Sequence, residues 1–291
     1  MKVHSRRDLL AAGMKGHGSA SPASRLVQSI RPRNLASAGW SWEGQGFNAP
    51  MAPSVYGAGE GAAYFGLNKA IFMYHPNNEL ALEKLRSLQE VVCDITKWKQ
   101  VAIAYGGAEL HSDTRPTTVH EEAENVARLA SSFANVKGAY FDDMLAQSKF
   151  GALSSEEYTS VRDTLRKAGS ELKLWAVVYP SELDGKDWTG FKPQMDVINL
   201  RIPAAKDLPN LDRYVKKCRE LFPGKALVLT GYLWDYSTKS PIPLNLLKQQ
   251  WESMVKYIEE GKITGYVIFA AFLIDGNQKE ARWVKDFIAA H

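Results

Sequence analysis

From Leu35 to the C-terminus, short apolar runs rich in β-branched and aromatic residues alternate with amphipathic stretches. This alternation marks parallel strands joined by crossover helices, and few architectures satisfy it. The strand candidates are Ser37–Glu43, Ala70–Tyr74, Val91–Ile95, Val101–Tyr105, Gly138–Asp142, Leu172–Tyr179, Val197–Ile202, Ala226–Tyr232 and Gly265–Phe272. Helical periodicity covers 78–88, 119–133, 154–168, 208–221, 243–260 and 278–289. Ser154-Ser155-Glu156-Glu157 and Pro243-Leu244-Asn245 read as helix starts, with a capping hydroxyl in the first and an early proline in the second.

The strands recur roughly every 30 residues, as βα units require, so the expected fold is a single (β/α)8 TIM barrel over 35–291. Nine candidates are one too many for eight strands, and the surplus lies between 89 and 107. Apolar positions 82, 85, 88, 92, 95 and 98 keep a near-helical period, which would make 91–95 the continuation of a helix. Its β-branched run ending in Asp94 reads instead as a barrel strand, so 91–95 and 101–105 both stand as the third strand. The connection 179–197 is short enough to hold a degenerate helix or none. Gly44–Gly66, with its glycines and prolines and little periodicity, reads as a long first loop over the barrel mouth. An open doubly wound sheet fits less well, because no glycine-rich phosphate turn follows the first strand.

The 291-residue chain carries 36 Lys and Arg against 32 Asp and Glu, unevenly placed. Residues 1–34 hold seven basic side chains and a single acid, Asp8, which leaves 29 basic and 31 acidic residues for the remainder. The basic balance therefore belongs to the leader, and no nucleic-acid face is expected. Ser5-Arg6-Arg7-Asp8-Leu9-Leu10-Ala11-Ala12-Gly13 resembles a twin-arginine export signal, although Lys15 interrupts its apolar stretch after Met14. Export to the periplasm or beyond and a plain disordered basic leader both remain open. No run is long enough to span a membrane. Cys93 and Cys218 are far apart and outside any CxxC spacing, so buried free thiols are expected.

In a (β/α)8 barrel the chemistry sits at the C-terminal ends of the strands. Those ends supply Trp40, Trp42 and Glu43, then Tyr74 and His75, Asp94 or Tyr105, Asp142 and Asp143, Tyr179, Arg201, Tyr232 with Trp234 and Asp235, and Phe272. Aromatic faces stack on sugar rings, and a pair of carboxyl groups can protonate and attack an acetal, so the set points to a glycoside hydrolase. The catalytic candidates are Asp142, Asp143 and Asp235. The substrate-binding candidates are Trp40, Trp42, Glu43, Tyr74, Tyr179, Arg201, Tyr232 and Trp234. Adjacent strand residues face opposite ways, so only one of Asp142 and Asp143 meets the mouth directly and the other orients a loop or the next helix start, or, if the strand ends there, the two form a shared-proton pair. Arg201 either binds substrate or neutralises Asp142 across the barrel, the second being favoured. His75, His111 and His120 show no metal-ligand spacing, and neither metal nor cofactor is expected. No lysine ends a strand for a Schiff base, no phosphate loop follows the last strands and no CxxxCxxC occurs, so lyase and isomerase chemistries lack their usual marks.

The order of strand motifs is similar to that of chitinase-like (family 18) glycoside hydrolases. Val101-Ala102-Ile103-Ala104-Tyr105-Gly106-Gly107 resembles their third-strand run and Gly138-Ala139-Tyr140-Phe141-Asp142-Asp143-Met144 their fourth, catalytic run. Met195–Leu200 resembles their sixth strand and Gly265–Phe269 their eighth. The resemblance implies a sugar-handling barrel with a carbohydrate ligand. It also implies a departure: the family's glutamate acid corresponds to Met144 and its earlier aspartate to Tyr140, and only Asp142 keeps its place. Two readings follow, a hydrolase acting on a glycan through a carboxylate pair and a barrel that binds carbohydrate without turnover. A monomer is expected in either case.

Overall fold

The computed structural model describes residues 34–43, 54–103, 107–143, 153–167 and 172–291, with the backbone alone for 98–103 and 107–111. Eight parallel strands close into a barrel in sequence order: β1 (Gly39–Trp42), β2 (Lys69–Phe72), β3 (Glu90–Asp94), β6 (Val136–Phe141), β7 (Lys173–Val178), β8 (Val197–Leu200), β9 (Ala226–Tyr232) and β12 (Gly265–Phe269), which returns to pair with β1. Among the described residues seven α-helices cover them, α1 (Ala58–Tyr64), α2 (Glu79–Lys84), α3 (Pro116–Ala130), α4 (Ser155–Lys167), α5 (Leu211–Leu221), α6 (Leu244–Glu259) and α7 (Gln278–Ala290). The (β/α)8 expectation holds. Residues 1–33, and with them the export reading, lie outside the described residues.

The surplus strand is resolved in favour of 91–95. β3 pairs with β2 and β6 inside the barrel, while β4 (Trp98–Ile103) and β5 (Gly107–Ser112) form a separate antiparallel hairpin in the loop that follows. The 101–107 run is therefore not the third barrel strand, and that part of the family correspondence falls; the fourth, sixth and eighth strands keep theirs. A second hairpin, β10 (Trp234–Asp235) with β11 (Ser240–Pro241), follows β9. The first loop is also corrected. It contains α1, whose small residues Ala58, Gly61 and Ala62 pack against the barrel. A Cβ on Gly61 would lie 2.5 Å from the Ala271 Cβ, so small size, not periodicity, defines this face. Between β7 and β8 no α-helix forms; two short turns and the buried Trp188, edge-on to Phe222, fill its place.

Local chemistry sets the helix starts. Ser154 and Glu157 form a reciprocal capping box, Ser154 Oγ accepting from the Glu157 N–H and Glu157 Oε2 from the Ser154 N–H. Asn78 caps α2 through the Ala81 N–H, and Pro243 precedes α6. Inside the barrel, inward side chains fall in layers. The floor holds Trp40 of β1 edge-on to Trp175 of β7, directly across the ring, with centroids 5.1 Å apart. Glycine makes this possible: a Cβ on Gly265 would sit 2.8 Å from the Trp40 ring, and one on Gly138 3.0 Å from the Trp175 indole. Above the floor, Tyr140 donates to Asn199 Oδ1 and the Asn199 amide donates to Thr230.

Candidate functional site at the barrel mouth

All eight barrel strands contribute to the top layer: Trp42, Tyr74, Asp94, Asp142, Tyr179, Arg201, Tyr232 and Phe269 stand at or just beyond their C-terminal ends. At its centre, Arg201 Nη1 lies 2.7 Å from Asp142 Oδ1, with both side chains buried. The same guanidinium donates to Tyr140 Oη at 2.9 Å and Tyr179 Oη at 3.4 Å, and lies 5.1 to 5.7 Å from the ring centroids of Phe269, Trp42 and Tyr140. Arg201 thus neutralises Asp142, the role favoured for it from sequence.

Burial pushes the Asp142 carboxyl well above the ordinary carboxylate range; Arg201 pulls it back and Asp143 adds to the rise. Burial works against the Arg201 charge, but the facing Asp142 holds the guanidinium above its usual range. Burial also raises the phenols of Tyr74, Tyr140, Tyr179 and Tyr232. Among the described residues Asp142 Oδ2, Arg201 Nε and Trp42 Nε1 are buried without a hydrogen-bond partner. The mouth therefore holds polar capacity that the described residues do not use.

Asp143 reaches the site by a different route. β6 ends at Phe141, and Asp143 has φ +50°, a left-handed conformation that aspartate tolerates better than most residues. The strand alternation is broken there, so Asp142 meets Arg201 while Asp143 Oδ1 accepts from Tyr179 Oη at 2.7 Å. Both acids reach the top layer, the outcome foreseen only if the strand ended early.

The remaining candidates separate. Glu43 is buried and tied down, its oxygens accepting from the N–H groups of Ala58 and Met73 and pairing with His75 Nδ1 at 3.3 Å. It thereby anchors the start of α1 and the end of β2, and it raises the His75 pKa through their hydrogen bond. Asp235 Oδ1 accepts from the Ser237 N–H and Oγ in the β10–β11 turn. Burial pushes its carboxyl up, but these hydrogen bonds hold it below the usual range. Trp40 lies in the floor beneath Lys69, not at the mouth. Trp42 stacks on Phe269 at 4.2 Å, with Tyr74 against its edge and Tyr232 beside Phe269. Trp234 is half-buried, and the neighbouring Tyr236, 38% exposed, adds a rim ring that packs on Tyr232.

Tyr140, Asn199 and Phe269 were not singled out as binding residues from sequence. Period-two counting back from Asp142 and Arg201 reaches Tyr140 and Asn199, and that was the available signal. Met144 and Tyr105 lie outside the described residues. Among the described residues no cluster of His, Cys, Asp or Glu could hold a metal ion.

No family model matches the chain, and no curated protein matches it. Solved structures do. A family 18 chitinase from Crocus vernus superposes with TM-score 0.54 at 10% identity, covering 86% of this chain and 98% of that one. By fold, the chain is distantly similar to family 18 chitinases. A β-glucuronidase from Bacteroides uniformis matches with TM-score 0.53 at 11% identity, over 82% of this chain and 30% of that one. A xylanase and α-amylase inhibitor protein from Scadoxus multiflorus matches with TM-score 0.51 at 12% identity, over 87% and 98%. The architecture is a glycoside-hydrolase-like barrel.

Proposed function

We propose that the mouth is a carbohydrate-binding site and that glycoside hydrolysis through Asp142 and Asp235 does not take place there. The observation that carries this is the buried Asp142–Arg201 ion pair set among aromatic rings. A carboxyl group acting as acid or nucleophile must be able to give up its proton or its charge to substrate. Burial raises the Asp142 carboxyl, but its side chain is fully buried and one oxygen is engaged by Arg201, and Asp235 is spent on a turn. The segments 44–53 and 144–152, which follow β1 and β6, contain no Asp or Glu in their sequence, so neither supplies a replacement acid. The rings of Tyr74, Tyr179, Trp234 and Tyr236 are the partly exposed surfaces on which a sugar would stack. A hydrolytic reading rests on Asp143, which stands at the same mouth with a phenol hydrogen bond to one oxygen. Export through the leader and a monomeric state belong to the same proposal. Among the described residues no helix is long and apolar enough to cross a membrane.

A glycan-array and chromogenic-glycoside screen on the wild type, beside Asp143→Asn and Asp235→Asn, tests the proposal. Glycan binding without turnover is the expected result. Turnover that Asp143→Asn abolishes would replace it with the hydrolytic reading, and neither binding nor turnover would remove carbohydrate altogether.

A further inference from the structure

Glu182 is a buried carboxyl group that the fold leaves half satisfied. It ends the short turn Pro180–Glu182 after β7 and is 3% exposed. Its Oε2 accepts from the Tyr179 N–H at 2.9 Å, while its Oε1 is buried with no hydrogen-bond partner among the described residues. A buried polar atom left unpaired is destabilising, and an exposed serine or asparagine caps such a turn without that cost. Burial raises the Glu182 pKa; the Tyr179 N–H and Lys186 oppose this, and Asp143 adds to it, which places the two carboxyl groups in one electrostatic field.

Tyr179 joins them. Its backbone N–H is held by Glu182, and its phenol donates to Asp143 Oδ1 at 2.7 Å while accepting from Arg201 Nη1 at 3.4 Å. The phenol that hydrogen-bonds the Asp143 side chain thus belongs to a residue whose main chain Glu182 fixes. We propose that Glu182 is a positioning residue of the mouth: by fixing the Tyr179 backbone it sets the phenol between Asp143 and Arg201, leaving the second oxygen of Asp143 to accept a hydroxyl of a neutral sugar. This rests on the carbohydrate reading of the site.

Two readouts separate the inference from that reading. The first needs no ligand: a buried, hydrogen-bonded tyrosine hydroxyl proton exchanges slowly and gives its own NMR resonance, assigned as the one lost in Tyr179→Phe. The second is the dissociation constant for the best glycan on an array. Glu182→Ala is expected to abolish or broaden the Tyr179 hydroxyl resonance and to weaken glycan binding by about tenfold, the worth of one hydrogen bond to a charged group. Glu182→Gln, which keeps an acceptor for the Tyr179 N–H, should retain both. Glu182→Ala combined with Tyr179→Phe should bind no worse than the weaker single variant, since both act through one phenol. If Glu182→Ala lowers Tm but leaves resonance and affinity unchanged, Glu182 is only structural and the inference is overturned. Glu182→Asp, one methylene shorter, takes its place should the alanine variant not fold. A wild type that binds no glycan overturns the carbohydrate reading alone, since the resonance still reports the positioning.

Discussion

At the residue scale, Arg201 and Asp142 show how a barrel can carry two full charges in its interior. Neither could be buried alone, because an uncompensated ion in an apolar site costs several kcal/mol even after relaxation. Together they also use Tyr140, whose phenol bridges Arg201 to Asn199. Replacing one partner strands the other, so Asp142→Leu alone should lose about 3–5 kcal/mol of unfolding free energy. The double replacement Asp142→Leu with Arg201→Met should recover most of that loss, because a buried ion pair contributes little net stability over apolar side chains of similar volume. Urea denaturation of the three proteins measures this. Equal losses in the single and double variants would show that the pair is bound into a wider network than the described contacts.

At the element scale, the β4–β5 hairpin is an insertion into a barrel that closes without it. Its strands pair only with each other in a two-stranded sheet, and the Lys97 carbonyl accepts from the Asp113 N–H at 2.7 Å, bringing the two ends of the insertion together. Replacing Trp98–Ser112 with two glycines should therefore leave the far-UV circular dichroism barrel-like and lower Tm by less than about 5 °C, roughly a 1–2 kcal/mol effect for a domain of this size. Loss of cooperative unfolding would show that the hairpin carries part of the core. The hairpin also explains why the third strand was ambiguous in sequence. Val101–Ile103 is as β-branched as a barrel strand because any strand shares that composition, and composition does not report which sheet a strand joins.

At the scale of the whole molecule, the packing of helices on the barrel excludes solvent from both cysteines. Cys93 and Cys218 are free and buried, and burial pushes each thiol up to about 12. A thiol that is inaccessible and protonated does not attack disulfide reagents. Native protein should react with DTNB only as fast as it opens, and unfolding should release both thiols together. Rapid modification of one thiol under native conditions would mark a region that opens independently of the barrel.

The chain by itself determined the barrel. Nine β-branched or aromatic runs separated by amphipathic stretches, with caps such as Ser154 and Glu157, are local properties, and local properties are written in the residue order. It also placed Asp142, Tyr179, Arg201 and Tyr232 at strand ends, because period-two alternation and the C-terminal location of barrel sites are general rules. The choice of 91–95 over 101–105 as the third strand was decided only in three dimensions, as were the surroundings of four side chains. Trp40 occupies the floor and not the mouth, because its neighbour is Trp175, more than a hundred residues away in sequence. Asp235 is committed to a turn by Ser237, and Glu43 to backbone N–H groups, since a carboxylate takes whichever donors the folded chain brings near. Asp142 meets Arg201, a pairing the residue order only suggested, because the closed barrel sets β6 and β8 on either side of β7 with the two side chains 2.7 Å apart. Side-chain identity fixes what a residue can bond; only the closed barrel fixes what stands within reach.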